Sequence, residues 1–221
     1  LVHSEKNSKT MQDYIDFGFE PVYWWAHAAI AADWFRYAQY DTELRYQQEF
    51  KKDFLIYNRA WSGTREYRLK FTEMILDCNL TDHCHMRFNP VCNNQDYKNF
   101  IPTNAALKSH RTDLEYHFEL NLFDATSSSD YCTNDYKEYG MEVVLETLFD
   151  DTRLQLTEKI LRPIACGKPF ILTATPNSLQ YLRSYGFETF DGLINESYDT
   201  ILDPAQRLSA IVNEMLRITN L

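Results

Sequence analysis

The chain has 221 residues, enough for one large domain, and with 44% hydrophobic and 15% aromatic residues it can build a sizeable core. Its formal net charge of −10 argues against broad, non-specific binding to nucleic acid. No apolar run has the length of a membrane helix and no signal peptide is visible, so we expect a cytoplasmic protein without a membrane segment. The five scattered cysteines are typical of free thiols in a reducing compartment.

Residues 1–50 form an N-terminal segment that is rich in aromatic side chains. The pattern predicts short elements near residues 1–8, 10–17 and 21–25, followed by a buried helix over 27–37. We expect its aromatic side chains to belong to the core: Trp24, Trp25, Trp34, Phe35 and Tyr37. The charged stretch 41–52 then predicts a solvated helix or linker, and we place a boundary there between residues 1–50 and a second unit, residues 51–221.

That second unit opens with a strand, FLIYN, a loop, RAWSGT, and a helix over 64–79 with Thr64 as its cap. Three arginines surround the turn: Arg59, Arg65 and Arg68. Backbone N–H groups at a helix start, together with guanidinium groups, suit phosphate oxygens, so the turn is a candidate anion site. The alternative is that these arginines form surface ion pairs with Glu66 and Glu73.

Residues 81–140 predict an irregular surface excursion with one helix near 113–120. His83, Cys84, His85 and Cys92 lie close together in its first part, which suggests zinc. However, their spacing fits no paired metal-binding pattern, and we predict no metal site.

Strands alternate with helices over residues 141–190: MEVVLET, a helix that stops at Gly167, KPFILTA, and a helix closed by Gly186. A final helix opens at Asp203-Pro204. This alternation predicts an α/β fold, with a Rossmann-like parallel sheet and flanking helices.

Ligands of such sheets lie outside the carboxyl ends of the strands. Here those ends carry Glu146 and then Thr157, Glu158 and Lys159 at the start of the next helix, where we expect the chemistry. No Gly-rich phosphate fingerprint and no GxSxG elbow occurs, which argues against a dinucleotide dehydrogenase, a P-loop enzyme or a serine hydrolase.

The runs VVLE (143–146), LTEKI (156–160) and PFIL (169–172) resemble the donor-binding half of GT-B glycosyltransferases, most closely the α-1,3-fucosyltransferase type. In those enzymes a strand that ends in Glu is followed by a helix with a T-E-K motif. The unit around 56–68 is similar to the Arg-bearing turn that opens their C-terminal domain. The resemblance covers about half of the chain, and residues 1–50 would be a partial or reduced acceptor-side domain.

The resemblance implies a metal-independent enzyme that transfers a sugar from a nucleoside diphosphate to a hydroxyl acceptor, with no cofactor besides the nucleotide sugar as substrate. The implied donor-binding residues are Arg59, Arg65, Glu146, Thr157, Glu158, Lys159 and Arg162. Cations and helix N–H groups would stabilise the leaving diphosphate. The implied proton acceptors lie on the N-terminal side, where we prefer His3 and Glu5 to His27, which the apolar context marks as a core histidine.

Nearly the whole chain also resembles uncharacterised phage and marine viral proteins, through VHSEKNS, YNRAWSGTREYRLKF, LTEKILRPIACGKPFIL and YLRSYGFETFD. This second resemblance implies a location in the cytoplasm of a host cell or in a virion. It keeps an alternative open, namely a glycosyltransferase-like scaffold without catalysis that binds a virion component or a second copy of itself.

Overall fold

The structure, a computed structural model, describes residues 2–120 and 131–221. Within these residues the strands are β1 (Val2–His3), β2 (Val22–Tyr23), β3 (Lys52–Ile56), β4 (Cys84–Phe88), β5 (Val91–Cys92), β6 (Gln95–Asp96), β7 (Glu119–Leu120), β8 (Tyr139–Leu145) and β9 (Phe170–Thr173). The α-helices are α1 (Met11–Asp16), α2 (Ala28–Tyr40), α3 (Thr42–Tyr46), α4 (Tyr67–Asp77), α5 (Thr133–Glu138), α6 (Leu161–Ala165), α7 (Ser178–Ser184) and α8 (Pro204–Thr219).

Five strands form one sheet, in the spatial order β7-β4-β3-β8-β9, and all of their pairings are parallel. Counted along the chain this order is 3-2-1-4-5, so it reverses between β3 and β8. Such an order is that of a doubly wound, Rossmann-like sheet. The predicted α/β class with a parallel sheet and flanking helices is therefore confirmed.

Helices cover both faces of this sheet. Phe54 and Ile56 of β3 share a core cluster with α4 residues such as Phe71, whereas Leu55 packs with Ala38 of α2 and Leu44 of α3. Successive side chains of a strand point to opposite faces, so α4 and α2 lie on opposite sides. Helix α8 contacts α4 and β9, and α2 contacts α6, which completes the two layers.

Several predicted elements are confirmed. Strands β8 and β9 lie in the runs MEVVLET and KPFILTA, and Gly167 and Gly186, both with positive φ, follow α6 and α7. Helix α8 begins as predicted, because the Asp203 carboxylate accepts a hydrogen bond of 2.8 Å from the Gln206 N–H. No helix of the described residues is both long enough and apolar enough to span a membrane.

The excursion over 81–140 is less irregular than expected. It contains β4 and β7, two strands of the main sheet, and also the β5–β6 hairpin and α5. The helix predicted near 113–120 is wrong, since only a 3₁₀ turn, Leu114–Tyr116, forms before β7. Residues 121–130 of the excursion lie outside the described residues.

Two other expectations are corrected. Thr64 does not cap α4, because it lies inside a 3₁₀ turn, Gly63–Arg65, and α4 begins at Tyr67. Helix α2 buries one side only, through Ala31, Trp34 and Ala38. Of the five aromatic residues assigned to the core, Trp25 and Trp34 are buried and the other three are exposed: Trp24, Phe35 and Tyr37.

Candidate ligand-binding site at the carboxyl edge of the sheet

The crevice between β3 and β8 is the place where the strand order reverses, and in open parallel sheets ligands bind outside the carboxyl ends at such a point. The loop after β3 runs over 57–66, and the loop after β8 runs over 146–157. These two loops carry most of the side chains that the sequence assigns to a donor site.

The side chain of Arg68, a residue of α4, connects the loop after β3 to the end of β8 by hydrogen bonds. Its guanidinium donates to the Ala60 carbonyl at 2.9 Å, the Leu145 carbonyl at 2.5 Å and the Glu146 carbonyl at 3.2 Å, and the side chain is buried. Arg68 therefore holds the loop after β3 against the end of β8, and it is a structural part of the crevice.

The alternative of surface ion pairs with Glu66 and Glu73 is wrong. Glu66 accepts hydrogen bonds from the backbone N–H groups of Thr103 and Asn104. Glu73 is bound by Lys70, by the Ser109 hydroxyl and by the His110 N–H. Both carboxylates anchor the chain or pair locally, and neither takes an arginine from the turn.

Glu146 lies at the predicted strand end, but its carboxylate is occupied internally. It is fully buried and accepts hydrogen bonds from the Thr157 N–H at 3.0 Å, the Thr157 hydroxyl at 2.5 Å and the Thr147 N–H at 3.1 Å. These bonds close the loop 147–157 on itself. Glu146 thus places Thr157 at the crevice instead of facing a ligand.

Thr157 precedes a 3₁₀ turn, Glu158–Ile160, that leads into α6. The Lys159 ammonium lies 3.3 Å from the Thr157 hydroxyl and 2.9 Å from the Glu158 carboxylate. Burial opposes ionisation of Glu158, but Lys159 and, more weakly, the nearby His27 outweigh it and hold the pKa of Glu158 below its usual range. The turn therefore presents an ion pair whose cation stays partly accessible.

Arg59 and Arg65 are half-buried arginines whose side chains make no ion pair with any described residue. Burial lowers the pKa of both, and a second positive charge adds to the effect: Arg162 for Arg59 and Arg68 for Arg65. Both arginines remain protonated at neutral pH, because the ordinary arginine pKa is so high. They are partly desolvated cations without an acidic partner among the described residues.

The described residues contain six buried side-chain polar atoms without a hydrogen-bond partner, and five of these atoms collect at one edge. The five are His27 Nδ1, Asn58 Oδ1, Arg59 Nη1, Arg68 Nε and Thr173 Oγ1. Asn58 and Arg59 follow β3, Arg68 reaches the ends of β3 and β8, and Thr173 ends β9. Nearly all buried polar groups in proteins are paired, so this concentration sets the edge apart, and His27 and Arg59 are the two of these residues that are partly accessible to a ligand.

Arg162, the seventh residue that the resemblance assigns to the donor site, lies elsewhere. Its guanidinium is 3.0 Å from the Glu142 carboxylate, and the two side chains are only 3% and 1% exposed. It also donates to the Tyr136 hydroxyl at 3.0 Å. Burial disfavours its charge, but Glu142 outweighs burial and raises the pKa of Arg162. Arg162 is a core ion pair and is not accessible to a ligand.

His3 and Glu5 bond mainly within the N-terminal segment and to the loop after β8. The His3 ring nitrogen Nδ1 accepts from the Glu5 N–H at 3.0 Å, and the Glu5 carboxylate accepts from Arg153 at 3.1 Å. An antiparallel bridge between Lys6 and Leu154 brings this segment onto the loop 147–157. The structure records no contact of His3 or Glu5 with Glu158 or Lys159.

His27 was expected to be a satisfied core histidine, and the structure corrects this expectation. It is half-buried, directly precedes α2, and its Nδ1 has no partner. Helix α2 packs on the turn Glu158–Ile160, and the charge of His27 acts on Glu158. His27 was weighed as a proton acceptor and ranked below His3 and Glu5, and Asn58 was not named from the sequence. Asn58 offered one signal, a polar residue immediately after a buried strand.

The cysteine and histidine cluster of the excursion is dispersed. His83 pairs with Asp53 at 2.5 Å, and the His85 ring stacks on Tyr139 with ring centroids 4.6 Å apart. Cys92 bonds to Ser62 at 3.1 Å. Among residues 2–120 and 131–221, no group of three or more His, Cys, Asp or Glu side chains is arranged to hold a metal ion.

Comparison with protein-family models, with curated proteins and with solved structures finds no match to the chain. The crevice itself therefore carries the functional conclusion. It offers three partly accessible cations, Arg59, Arg65 and Lys159, at the carboxyl edge of a Rossmann-like sheet.

Proposed function

We propose that the crevice between β3 and β8 binds the diphosphate of a nucleoside diphosphate sugar, and that the protein is a glycosyltransferase of the GT-B type. The observation that carries this proposal is the pair of desolvated arginines, Arg59 and Arg65, which have no acidic partner at the point where the strand order reverses. The resemblance of residues 143–146 and 156–160 to a donor-binding motif supports a nucleotide sugar as the ligand that carries this diphosphate.

Negative charge grows on the diphosphate as the bond to the sugar breaks. Arg59, Arg65 and Lys159 would stabilise that charge, because guanidinium and ammonium groups form charge-assisted hydrogen bonds with phosphate oxygens. These cations are fixed before the ligand arrives: Lys159 is held by Thr157 and Glu158, and the arginines lie on a loop that Arg68 holds. Arg162 is buried and takes no part in donor binding, and Glu146 positions Thr157.

The acceptor hydroxyl must lose its proton as its oxygen attacks the sugar carbon and the diphosphate leaves with the bonding electron pair. His27 fits this role better than His3 or Glu5, because the residue is half-buried, its ring makes no hydrogen bond with a described residue, and its charge acts on Glu158. The Glu158 carboxylate would stabilise the imidazolium that forms. His3 and Glu5 are engaged with each other and with Arg153.

The test is a thermal-shift screen of the folded protein with GDP, UDP, ADP and CDP and their sugars. A ligand that binds only the folded state raises the melting temperature by mass action. We expect one nucleotide to stabilise the protein, with the shift reduced in Lys159→Ala. Lys51→Ala is the matched control, since Lys51 is exposed, pairs with Glu138 and lies before β3 at the opposite edge of the sheet.

A second candidate function, a non-catalytic binding protein, is favoured by the exposed side chains of the N-terminal segment. Large apolar residues there face solvent, among them Phe17 at 82% and Tyr46 at 79% exposure. Isolated exposed apolar residues are common. The many large apolar side chains exposed within these 50 residues are more typical of an interaction surface. Absence of a thermal shift with every nucleotide, in folded protein, would favour this candidate over the enzyme.

A further inference from the structure

A concave site lies in the excursion between β4 and β7. It is an open cleft of about 350 Å³, which is within the range of small-ligand sites. Its two walls are the segments 97–101 and 108–112. It is independent of the proposed glycosyltransferase activity, since none of its residues belongs to the donor site.

The walls of this cleft are anchored to the fold. Tyr97 is buried in a cluster with Trp61 and Leu114, and the Phe100 ring packs edge-on against Trp61 with centroids 5.0 Å apart. On the other wall, the buried Glu73 accepts from the Ser109 hydroxyl at 2.7 Å and also from the His110 N–H. A cleft with fixed walls loses little entropy when it binds a ligand.

The lining of the cleft is basic, in a protein whose net charge is −10. None of the ten lining residues is acidic, and four carry basic side chains: Lys98, Lys108, His110 and Arg111. The cleft therefore presents N–H donors and no carboxylate to a ligand, which suits an anion, although several carboxylates lie behind the lining.

Two of these basic groups are neutralised and held by acids outside the lining. Lys98 pairs with Glu115. Arg111 donates to Asp113 at 2.6 Å and to Asp77 at 2.8 Å, and these bonds use three of its five N–H groups. Glu115 and Asp113 raise the pKa of Lys98 and of Arg111, so both side chains stay charged.

The other two basic groups, Lys108 and His110, can bind a ligand. The side chains of Lys108 and His110 are exposed and have no acidic partner among the described residues. Together with the remaining N–H groups of Arg111, they offer donors from three separate side chains. A tetrahedral anion with several oxygens matches such an arrangement better than a planar carboxylate, which favours a single guanidinium fork.

We infer that the cleft between residues 97–101 and 108–112 binds a phosphate group of a small molecule, with Lys108 as the principal cation. The ligand lies between the Lys108 ammonium and the Arg111 guanidinium. The exposed Ile101 at the rim contacts the part of the ligand that carries the phosphate.

The test follows the backbone amide signals of the ¹⁵N-labelled protein during titration with inorganic phosphate at constant ionic strength. We expect saturable shifts of the amides in 97–101 and 108–112, with affinity about tenfold weaker in Lys108→Ala because a charge-assisted contact is lost. Lys9→Ala is the matched control, since Lys9 is an exposed lysine outside the cleft. Lys159→Ala must leave these shifts unchanged, which separates the cleft from the crevice.

Three results would overturn the inference. The first is the absence of saturable shifts in these segments. The second is undiminished binding in Lys108→Ala. The third is acetate binding as tightly as phosphate, which would assign the cleft to carboxylates. None of these results depends on whether the crevice binds a nucleotide.

Discussion

Two arginines near one aromatic ring differ in how their buried charge is paired. The Arg162 guanidinium lies 4.2 Å from the centroid of the Tyr57 ring, and the Arg59 guanidinium lies 5.4 Å from it. Arg162 is fully paired, with Glu142 and Tyr136 as partners, whereas Arg59 has a buried nitrogen without any partner. A paired buried charge contributes to the fold, while an unpaired one costs stability unless a ligand supplies the partner.

The two regions to which these arginines belong also differ in how their buried polar groups are paired. On the α6 face of the sheet, Glu142, Tyr136 and Arg162 form a network in which each has a partner in the chain. At the carboxyl edge, five buried polar atoms have none. Replacing residues in the first region should therefore affect folding, and replacing residues in the second should affect binding.

The largest effect is expected for Arg162→Ala. Loss of the guanidinium leaves the Glu142 carboxylate buried without its counter-charge, which costs about 3–5 kcal/mol of the free energy of unfolding. Urea denaturation measures this change. The control is Arg36→Ala, an exposed position on α2 where we expect a change within about 0.5 kcal/mol. Equal stability of the two variants would remove the distinction between the regions.

His27→Gln tests the proton acceptor. We expect release of the nucleoside diphosphate from the stabilising nucleotide sugar to slow by about 100-fold or more, with an unchanged thermal shift, because the proposed role of His27 is at the acceptor hydroxyl and not at the diphosphate. His3→Gln serves as the control and should keep the wild-type rate. A slow His3→Gln variant beside an unaffected His27→Gln variant would assign the proton acceptor to His3, as the sequence predicts.

Arg59→Ala should have little effect on stability and a clear effect on nucleotide binding, unlike Arg162→Ala. The free energy of unfolding should change by less than about 1 kcal/mol, since the variant loses only a contact with Tyr57 and no ion pair. Nucleotide affinity should fall about tenfold, because the diphosphate loses a charge-assisted contact. Calorimetric titration measures the affinity. A variant that unfolds as easily as Arg162→Ala would show that Arg59 is structural.

The smallest effect concerns acid stability. The pKa of Glu158 is lower in the folded chain than its ordinary value, so its ionised form stabilises the fold above pH about 4.3, and this contribution is lost as the pH falls through the folded pKa. Glu158→Gln should therefore differ from wild type by less than about 1 kcal/mol at pH 7 and by less still at pH 3. A difference that grows toward low pH would contradict the assigned direction.

The elements that could be predicted from the sequence are those that the local pattern of apolar and capping residues determines. Apolar runs predicted β3, β8 and β9, and the Asp203-Pro204 signal predicted the start of α8. Strand β4 was missed although Cys84, Met86 and Phe88 alternate with more exposed residues, as in a half-buried strand. The histidines and the cysteine of this segment were considered as metal ligands instead of as strand residues.

The candidate site was predictable only in part, for a physical reason. The position of Lys159 follows from strand and turn order, which the chain shows locally. The fate of Arg162 depends on Glu142, a residue 20 positions away that α6 meets only when it crosses the face of β8. Likewise His27 reaches the crevice only because α2 packs on the turn at Glu158. Such partners are set by tertiary packing and leave no mark in residue type or spacing.

The most direct test of the central claim is an amide footprint of the stabilising nucleoside diphosphate on the ¹⁵N-labelled protein. We expect the perturbed amides to lie in residues 57–66 and 157–159, the two segments that carry Arg59, Arg65 and Lys159 at the carboxyl edge. A footprint that avoids both segments, or no saturable footprint with any nucleoside diphosphate, would contradict a donor site in the crevice.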